Sequence, residues 1–279
     1  MLPQKWSSQA VITPAETLQW QEMQQQLVRL QILGIDTKIT RGSVFELFIK
    51  KFQSRSLLEE YLATSPYILA QLKGAEVNPD ELHRAVVGLA DKMKSVSNQK
   101  STGDADAPYL AWTLSFVAPT AQDAQAVLEG YIKYVSAAVG KETMQNIVNA
   151  IATKTLLEEG LLEQKRVQLE NLRSANIQRL NYSLEIANAA GIKKPVYSSG
   201  MAVKDDPDYS VALGADGIQQ KLAIEKSITD VAQLDAAFKN QQYLLDQLRK
   251  ISVQATEFDA FKYQLSPSLP VTKDNPGKF

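Results

Sequence analysis

The sequence predicts an α+β fold: a base of helices and strands, joined to an extended arm made of one very long helix and a shorter returning helix. Three observations carry this. No proline occurs between Pro119 and Pro195. Three segments alternate in polarity like half-buried strands, one near each chain end and one in the middle. Helix-start signals are dense before residue 80.

The strand-like segments are Gln9-Ala10-Val11-Ile12-Thr13, Ala111-Trp112-Thr113-Leu114-Ser115-Phe116 and Phe261-Lys262-Tyr263-Gln264-Leu265. In each, alternate side chains place the apolar set on one face: Ala10 with Ile12, Trp112 with Leu114 and Phe116, Phe261 with Tyr263 and Leu265. A common sheet would bring both chain ends to one body.

Helix starts are expected at Thr13-Pro14-Ala15-Glu16, Ser43-Val44-Phe45-Glu46 and Asn78-Pro79-Asp80-Glu81. Each combines a capping side chain with an acid, two of them with proline at the first helical position. Helices follow over 15–33, 43–64 and 79–96. The polar stretch from Ser97 to Pro108, with Gly103, Asp104 and Asp106, reads as a surface loop.

The long helix opens at Thr120 and closes at Ala189-Ala190-Gly191. Such a helix rises about 100 Å at 1.5 Å per residue. Leu128, Ile132, Val135 and Val139 recur at steps of three and four; Leu157, Leu161, Leu169, Leu172, Leu180 and Leu184 continue the stripe with polar gaps. A narrow apolar stripe suits an arm that touches one or two neighbours. Gly130, Gly140 and Gly160 are the candidate bends, Gly140 above all. A second helix is expected over 216–251. The domain expectation is therefore 1–118 with 252–279 as the base and 119–251 as the arm.

Composition excludes several functions. Lys and Arg number 30 against 31 Asp and Glu, so no global charge favours nucleic acid. There is no cysteine, which removes disulfide and thiolate chemistry. No run of apolar residues is long enough to span a bilayer. Both ends read as cut from a longer protein. The single histidine, His83, has no Cys or His cluster around it and reads as a surface residue rather than a base or ligand. Gly214-Ala215-Asp216-Gly217 matches no phosphate-loop pattern and reads as a helix start. Asp205, Asp206 and Asp208 match no calcium loop, and an acidic solvated turn is the simpler reading than a hydrolase pair. Trp112 reads as core; Trp6 and Trp20 are candidates for an interfacial anchor. No catalytic, metal or cofactor site is expected.

Longer segments carry a resemblance. They are Leu2-Pro3-Gln4-Lys5-Trp6, Phe48-Ile49-Lys50-Lys51-Phe52-Gln53-Ser54, Ser56-Leu57-Leu58-Glu59-Glu60-Tyr61-Leu62, Ala175 through Leu184, Ala187 through Tyr197, and Phe261 through Val271. In these the chain resembles the periplasmic domain of the Wzz-type chain-length determinants, or polysaccharide co-polymerases, on their FepE-like branch. The resemblance implies a bacterial inner-membrane protein with this domain periplasmic and a spanning helix on each side. It implies a homo-oligomeric ring with a membrane-proximal base. It also implies control of O-antigen length in lipopolysaccharide, beside a separate O-antigen polymerase and without catalysis or cofactor.

Leu157, Leu161, Leu169 and Leu172 are then the candidate oligomer-interface residues. Arg173, Arg179, Lys193 and Lys194 form a modestly basic arm tip, a candidate contact for the growing polysaccharide, with ordinary solvated helix faces as the equal alternative. The competing reading is a periplasmic coiled-coil adaptor that bridges membranes in an export system. Such adaptors carry more strands than this sequence offers.

Overall fold

The structure, a computed structural model, describes residues 4–71, 78–99, 107–198, 201–202 and 209–274. Asp205, Asp206, Asp208, Gly103, Asp104 and Asp106 lie outside the described residues. Chain contacts divide the protein into two units, residues 1–150 with 253–279 and residues 151–252.

The first unit is built on a four-stranded antiparallel sheet. Its strands are β1 (Trp6–Pro14), β2 (Met93–Ser97), β3 (Trp112–Ala118) and, nearest the C-terminus, Phe261–Leu265. The spatial order is β2, β3, β1, then Phe261–Leu265. All three strands expected from alternation are present. β2 was not expected; its residues fell at the end of the predicted helix over 79–96. Ala10 lies opposite Leu114 and Ile12 opposite Trp112 in the β1–β3 pairing. Ala10, Ile12, Leu114 and Phe116 are fully buried. Past the last strand, Ser268 continues the pairing: its N–H donates to the Gln9 carbonyl at 2.9 Å, and its carbonyl accepts from the Ser8 hydroxyl at 2.6 Å. Both chain ends therefore belong to this unit.

The first-unit helices are α1 (Gln21–Ile32), α2 (Arg41–Phe52), α3 (Arg55–Thr64), α4 (Pro66–Gln71) and α5 (Pro79–Ala90). The helix predicted over 43–64 is two, because Ser54 stops one and caps the next, accepting from the Leu57 N–H at 3.3 Å. α2 starts earlier than expected. Thr40, not Ser43, is its N-cap, and the two close a reciprocal box: Thr40 Oγ1 accepts from the Ser43 N–H, and Ser43 Oγ accepts from the Thr40 N–H. The start expected at Thr13-Pro14 is overtaken by β1, which runs through Pro14, and Glu16 caps a short 3-10 turn over Thr17–Trp20. Asn78-Pro79 behaves as read: Asn78 accepts from the Asp80 N–H at 3.0 Å, with Pro79 in the first turn. His83 is exposed on α5. Trp20 is no surface anchor; it is buried and donates from its indole N–H to the Asp259 carbonyl at 2.7 Å.

The long helix, α6, runs without interruption over Ala121–Ala189, 69 residues, through all three glycines named as candidate bends. Thr120 caps it, accepting from the Asp123 N–H at 3.1 Å. Residues 121–150 belong to the first unit. There Ala124, Leu128, Tyr131, Val135 and Val139 form the buried stripe. The Tyr131 hydroxyl donates to the Phe52 carbonyl at 2.9 Å, at the end of α2. Phe52, Tyr61 and Tyr134 ring this tyrosine or each other at centroid distances of 4.9 to 5.5 Å. Gly130 makes that closeness possible: a Cβ there would sit 2.1 Å from the Tyr61 hydroxyl oxygen. No helix among the described residues is long and apolar enough to cross a membrane.

Two outcomes test this packing. Gly130→Ala gains helix propensity of about 1 kcal/mol, but overpacking against the rigid Tyr61 ring costs about 1–3 kcal/mol. Thermal unfolding should show a net loss, and adding Tyr61→Phe should recover part of it. The second concerns alkaline pH. Burial pushes the Tyr61 and Tyr131 phenols up, and burial with nearby Glu129 pushes Tyr263 up to about 12. The folded state thus holds protons that the unfolded chain releases near pH 10. Stability should be constant below roughly pH 10 and fall as pH rises through roughly 12. Urea midpoints measured across that window should drop, and Tyr263→Phe should shrink the drop.

Candidate functional site

In the second unit, residues 151–252, the segment that follows α6 folds back beside the part of α6 that belongs to this unit. α6 ends on Gly191, at φ +71°. The Ile192 N–H donates to the Ala187 carbonyl at 2.8 Å and the Gly191 N–H to the Asn188 carbonyl at 3.2 Å. This is the Schellman arrangement expected where Ala189-Ala190-Gly191 closes a helix. A short ladder of Tyr197–Ser198 (β4) and Met201–Ala202 (β5) follows. These labels make Phe261–Leu265 β6.

The returning limb is not one helix over 216–251 but two, α7 (Gly214–Ser227) and α8 (Ala236–Lys250), with a 3-10 turn over Val231–Leu234 between them. Asp230 caps the turn and Asp235 caps α8, each accepting from backbone N–H groups two residues on. Asp235 also pairs with Lys165 at 3.2 Å. That lysine and the Ala237 N–H hold its carboxyl below the usual range.

Gly214-Ala215-Asp216-Gly217 is a helix start, as read. Gly214 has φ +70°, and a Cβ there would meet the Lys194 carbonyl oxygen at 2.6 Å. The Ala215 and Asp216 N–H groups donate to the Ile192 and Lys193 carbonyls at 2.9 and 3.2 Å. At the other end of α7, the Arg173 guanidinium donates from Nε to the Glu225 carbonyl at 3.0 Å. Further on, Arg249 pairs with Glu159 at 2.9 Å. The partners on α6 run backwards (Arg173, Lys165, Glu159) as the chain advances, so the limb returns antiparallel. Leu180, Ala187, Ala215, Ile218 and Leu222 form one core cluster; Leu169, Val231, Ala232 and Phe238 form a second.

This arrangement sorts the interface candidates. Leu157, Leu161 and Leu172 are 54, 42 and 57% exposed. Leu169 is 6% exposed and fills the core of its own chain, packed with Phe238; it is not free for a neighbour. Ile186, 41% exposed, falls on the same helical face as the three open leucines, since steps of four, eleven and fourteen are close to whole turns. Leu156 and Val167, 70 and 41% exposed, make a second strip roughly a third of a turn away.

The basic candidates also separate. Arg173 is spent as the C-terminal cap of α7. Lys194 pairs with Asp216 at 3.2 Å. Lys193 is exposed, and its carbonyl holds the α7 start. Arg179 lines a recess of about 300 Å³ between α6 and α7. Asn176 and Ser183 line it from α6, and Lys221, Ile224 and Glu225 from α7. Neither Arg179 nor Lys221 has an ion-pair partner among the described residues. Glu225 Oε2 is buried with no hydrogen-bond partner among the described residues. Ser183 Oγ is occupied, accepting from the Ser210 N–H at 3.0 Å and donating to the Arg179 carbonyl at 2.9 Å. Lys221 and Glu225 escaped sequence reading because they lie some forty residues from Arg179 and only the return of α7 brings them beside it. Their i,i+4 spacing was the one available signal.

Among the described residues no group of three His, Cys, Asp or Glu side chains could hold a metal. No protein-family model matches the chain. The chain is 57% identical over 279 residues to the ferric enterobactin transport protein FepE of Escherichia coli K12, covering all of this chain and 74% of that protein. It is 28% identical over 167 residues to the chain length determinant protein of Salmonella typhimurium LT2, covering 60% of this chain and 50% of that one. It thus spans about half the length of that relative. Among solved structures, the wild-type lipopolysaccharide O-antigen chain-length regulator of Shigella flexneri superimposes with TM-score 0.65 at 20% identity, covering 96% of this chain and 99% of that one. A Wzz dodecamer subunit does so with TM-score 0.55 at 19% identity, covering 97 and 100%.

The positive-φ glycine gives a direct check. Gly214→Ala should release the α7 start from the Ile192 and Lys193 carbonyls. Hydrogen exchange at the Ala215 and Asp216 amides should accelerate, with the first unit unchanged.

Proposed function

The chain belongs to the Wzz-type chain-length determinants, on their FepE-like branch, and from that premise we propose that it sets the modal length of O-antigen polysaccharide as a homo-oligomer. The observation that supports this best is the pair of apolar strips on α6 that stay 41 to 70% exposed among the described residues. One strip carries Leu157, Leu161, Leu172 and Ile186; the other carries Leu156 and Val167. Two different strips on one helix fit a head-to-tail contact, in which one strip of a copy meets the other strip of the next. Such a contact closes into a ring when its rotation is right.

In this reading residues 1–118 with 252–279 are the membrane-proximal part, in the periplasm at the bacterial inner membrane, and 119–251 are the assembling part. The partners are other copies of this chain, the O-antigen polymerase and the polysaccharide it extends. The role is non-catalytic: copies arranged in a ring hold polymerase or glycan in a repeated geometry. The coiled-coil adaptor reading is not favoured, because the fold shared over nearly the whole chain is that of chain-length regulators. FepE is named for ferric enterobactin transport, and that name is a statement about FepE.

The test uses the full-length protein in a strain lacking its own length regulator. Lipopolysaccharide from that strain should run as a clustered band of defined chain length. An unregulated ladder, with the protein present in the membrane, would contradict the proposal. Leu157→Asp with Leu161→Asp places two charges on the open strip and should turn the band into a ladder at unchanged protein level.

A further inference from the structure

The recess between α6 and α7 has a chemistry that assembly does not use. Its volume, about 300 Å³, is at the small end of ligand pockets and fits one sugar ring. Its walls mix charge and hydrocarbon. Leu180 and the half-exposed Ile224 supply apolar surface. Arg179 and Lys221 supply cations without ion-pair partners among the described residues. Glu225 supplies a carboxylate oxygen that is buried and lacks a donor among the described residues.

A buried carboxylate oxygen without a hydrogen bond is costly, so the site calls for a donor. Phosphate or sulfate would satisfy the cations but bring like charge to Glu225 and no donor strong enough for it. An ammonium ligand would satisfy Glu225 and be repelled by Arg179 and Lys221. A hydroxyl both donates and accepts. Adjacent hydroxyls on one ring can donate to Glu225 and accept from Arg179 or Lys221, while the C–H face of the ring lies on Leu180 and Ile224.

We propose that this recess binds one ring of a neutral polysaccharide, with Glu225 and Lys221 as its polar anchors and Arg179 at its rim. The proposal deepens the length-regulator reading and rests on it for its biological meaning. Each copy of the chain would then offer the growing glycan one weak subsite, and an assembly of copies would offer a repeated series of them. Weak sites in series gain avidity from linkage along one polymer.

The test is ligand-observed saturation-transfer NMR on the 279-residue chain. The probes are methyl α-D-glucopyranoside, methyl α-D-galactopyranoside and methyl α-D-mannopyranoside, with inorganic phosphate as the competing chemistry. At least one glycoside should receive saturation, with a Kd in the millimolar range. Glu225→Gln and Lys221→Ala should each weaken it roughly tenfold, the loss of one charge-assisted hydrogen bond. Both positions reach solvent, and circular dichroism with thermal melting shows whether each variant is folded. No transfer to any of the three glycosides would overturn the proposal. So would transfer that both variants leave unchanged, or phosphate binding at the recess in place of sugar. The lipopolysaccharide assay separates the two claims. A regulated band from a chain that binds no glycoside removes the subsite and keeps the length regulator. Glycoside binding by a chain whose full-length form gives an unregulated ladder does the reverse.

Discussion

The constraint on which everything else depends is the unbroken hydrogen-bond ladder of α6. A helix of 69 residues satisfies its own backbone but cannot bury its own apolar surface. Successive stretches of that surface must be covered by different partners. Between Ala121 and Val139 the cover includes α2 and α3, whose Phe52 and Tyr61 pack on Tyr131. Between Leu169 and Ala187 the cover is the returning limb. That limb is narrow, so it hides one stripe and leaves the flanks at Leu157, Leu161, Leu172 and Leu156 in solvent. Exposed apolar residues at helical spacing are a surface in search of a partner.

Polar groups fix the ends of α7, and the two apolar clusters fill the space between α6 and the returning limb. α7 is pinned at both ends: at its start by the carbonyls of Ile192 and Lys193, just past the end of α6, and at its close by Arg173 of α6. Those contacts satisfy the orphan N–H and C=O groups that every helix end presents. With its ends fixed, the middle of α7 stands beside α6, and Lys221, Ile224 and Glu225 line the recess with Asn176 and Arg179. Arg173 and Arg179 were one class in the sequence, two cations of a basic tip. The structure gives them different work, because one reaches backbone carbonyls and the other does not.

How much was legible follows from the range of each signal. α6 was readable because its evidence is local and repeated: a capping threonine, a long proline-free stretch and a terminal Gly191 in the left-handed region. The strands β1, β3 and β6 were readable from alternation. β2 was hidden, since in Met93-Lys94-Ser95-Val96-Ser97 only Met93 is buried and the segment carries no apolar face. The breaks at Ser54 and at Asp230 and Asp235 are hidden because no proline marks either one and apolar residues continue on the far side; the change in helical phase and the caps themselves were present in the sequence. Leu169 and Leu172 look alike as letters. Only the position of Phe238, far along the chain, buries one and leaves the other open. The recess was illegible for the same reason: its acid and its cations come from distant segments.

The central claim is that a second copy of this chain covers the open strips of α6. The protein has no cysteine, so single introduced cysteines report neighbours without background. Leu161→Cys with Leu156→Cys, in the full-length protein in its membrane, places one thiol on each strip. Mild oxidation should yield a ladder of disulfide-linked oligomers on a denaturing gel, while either cysteine alone gives at most dimers. Monomer only, with both thiols shown to be reactive, would contradict the claim.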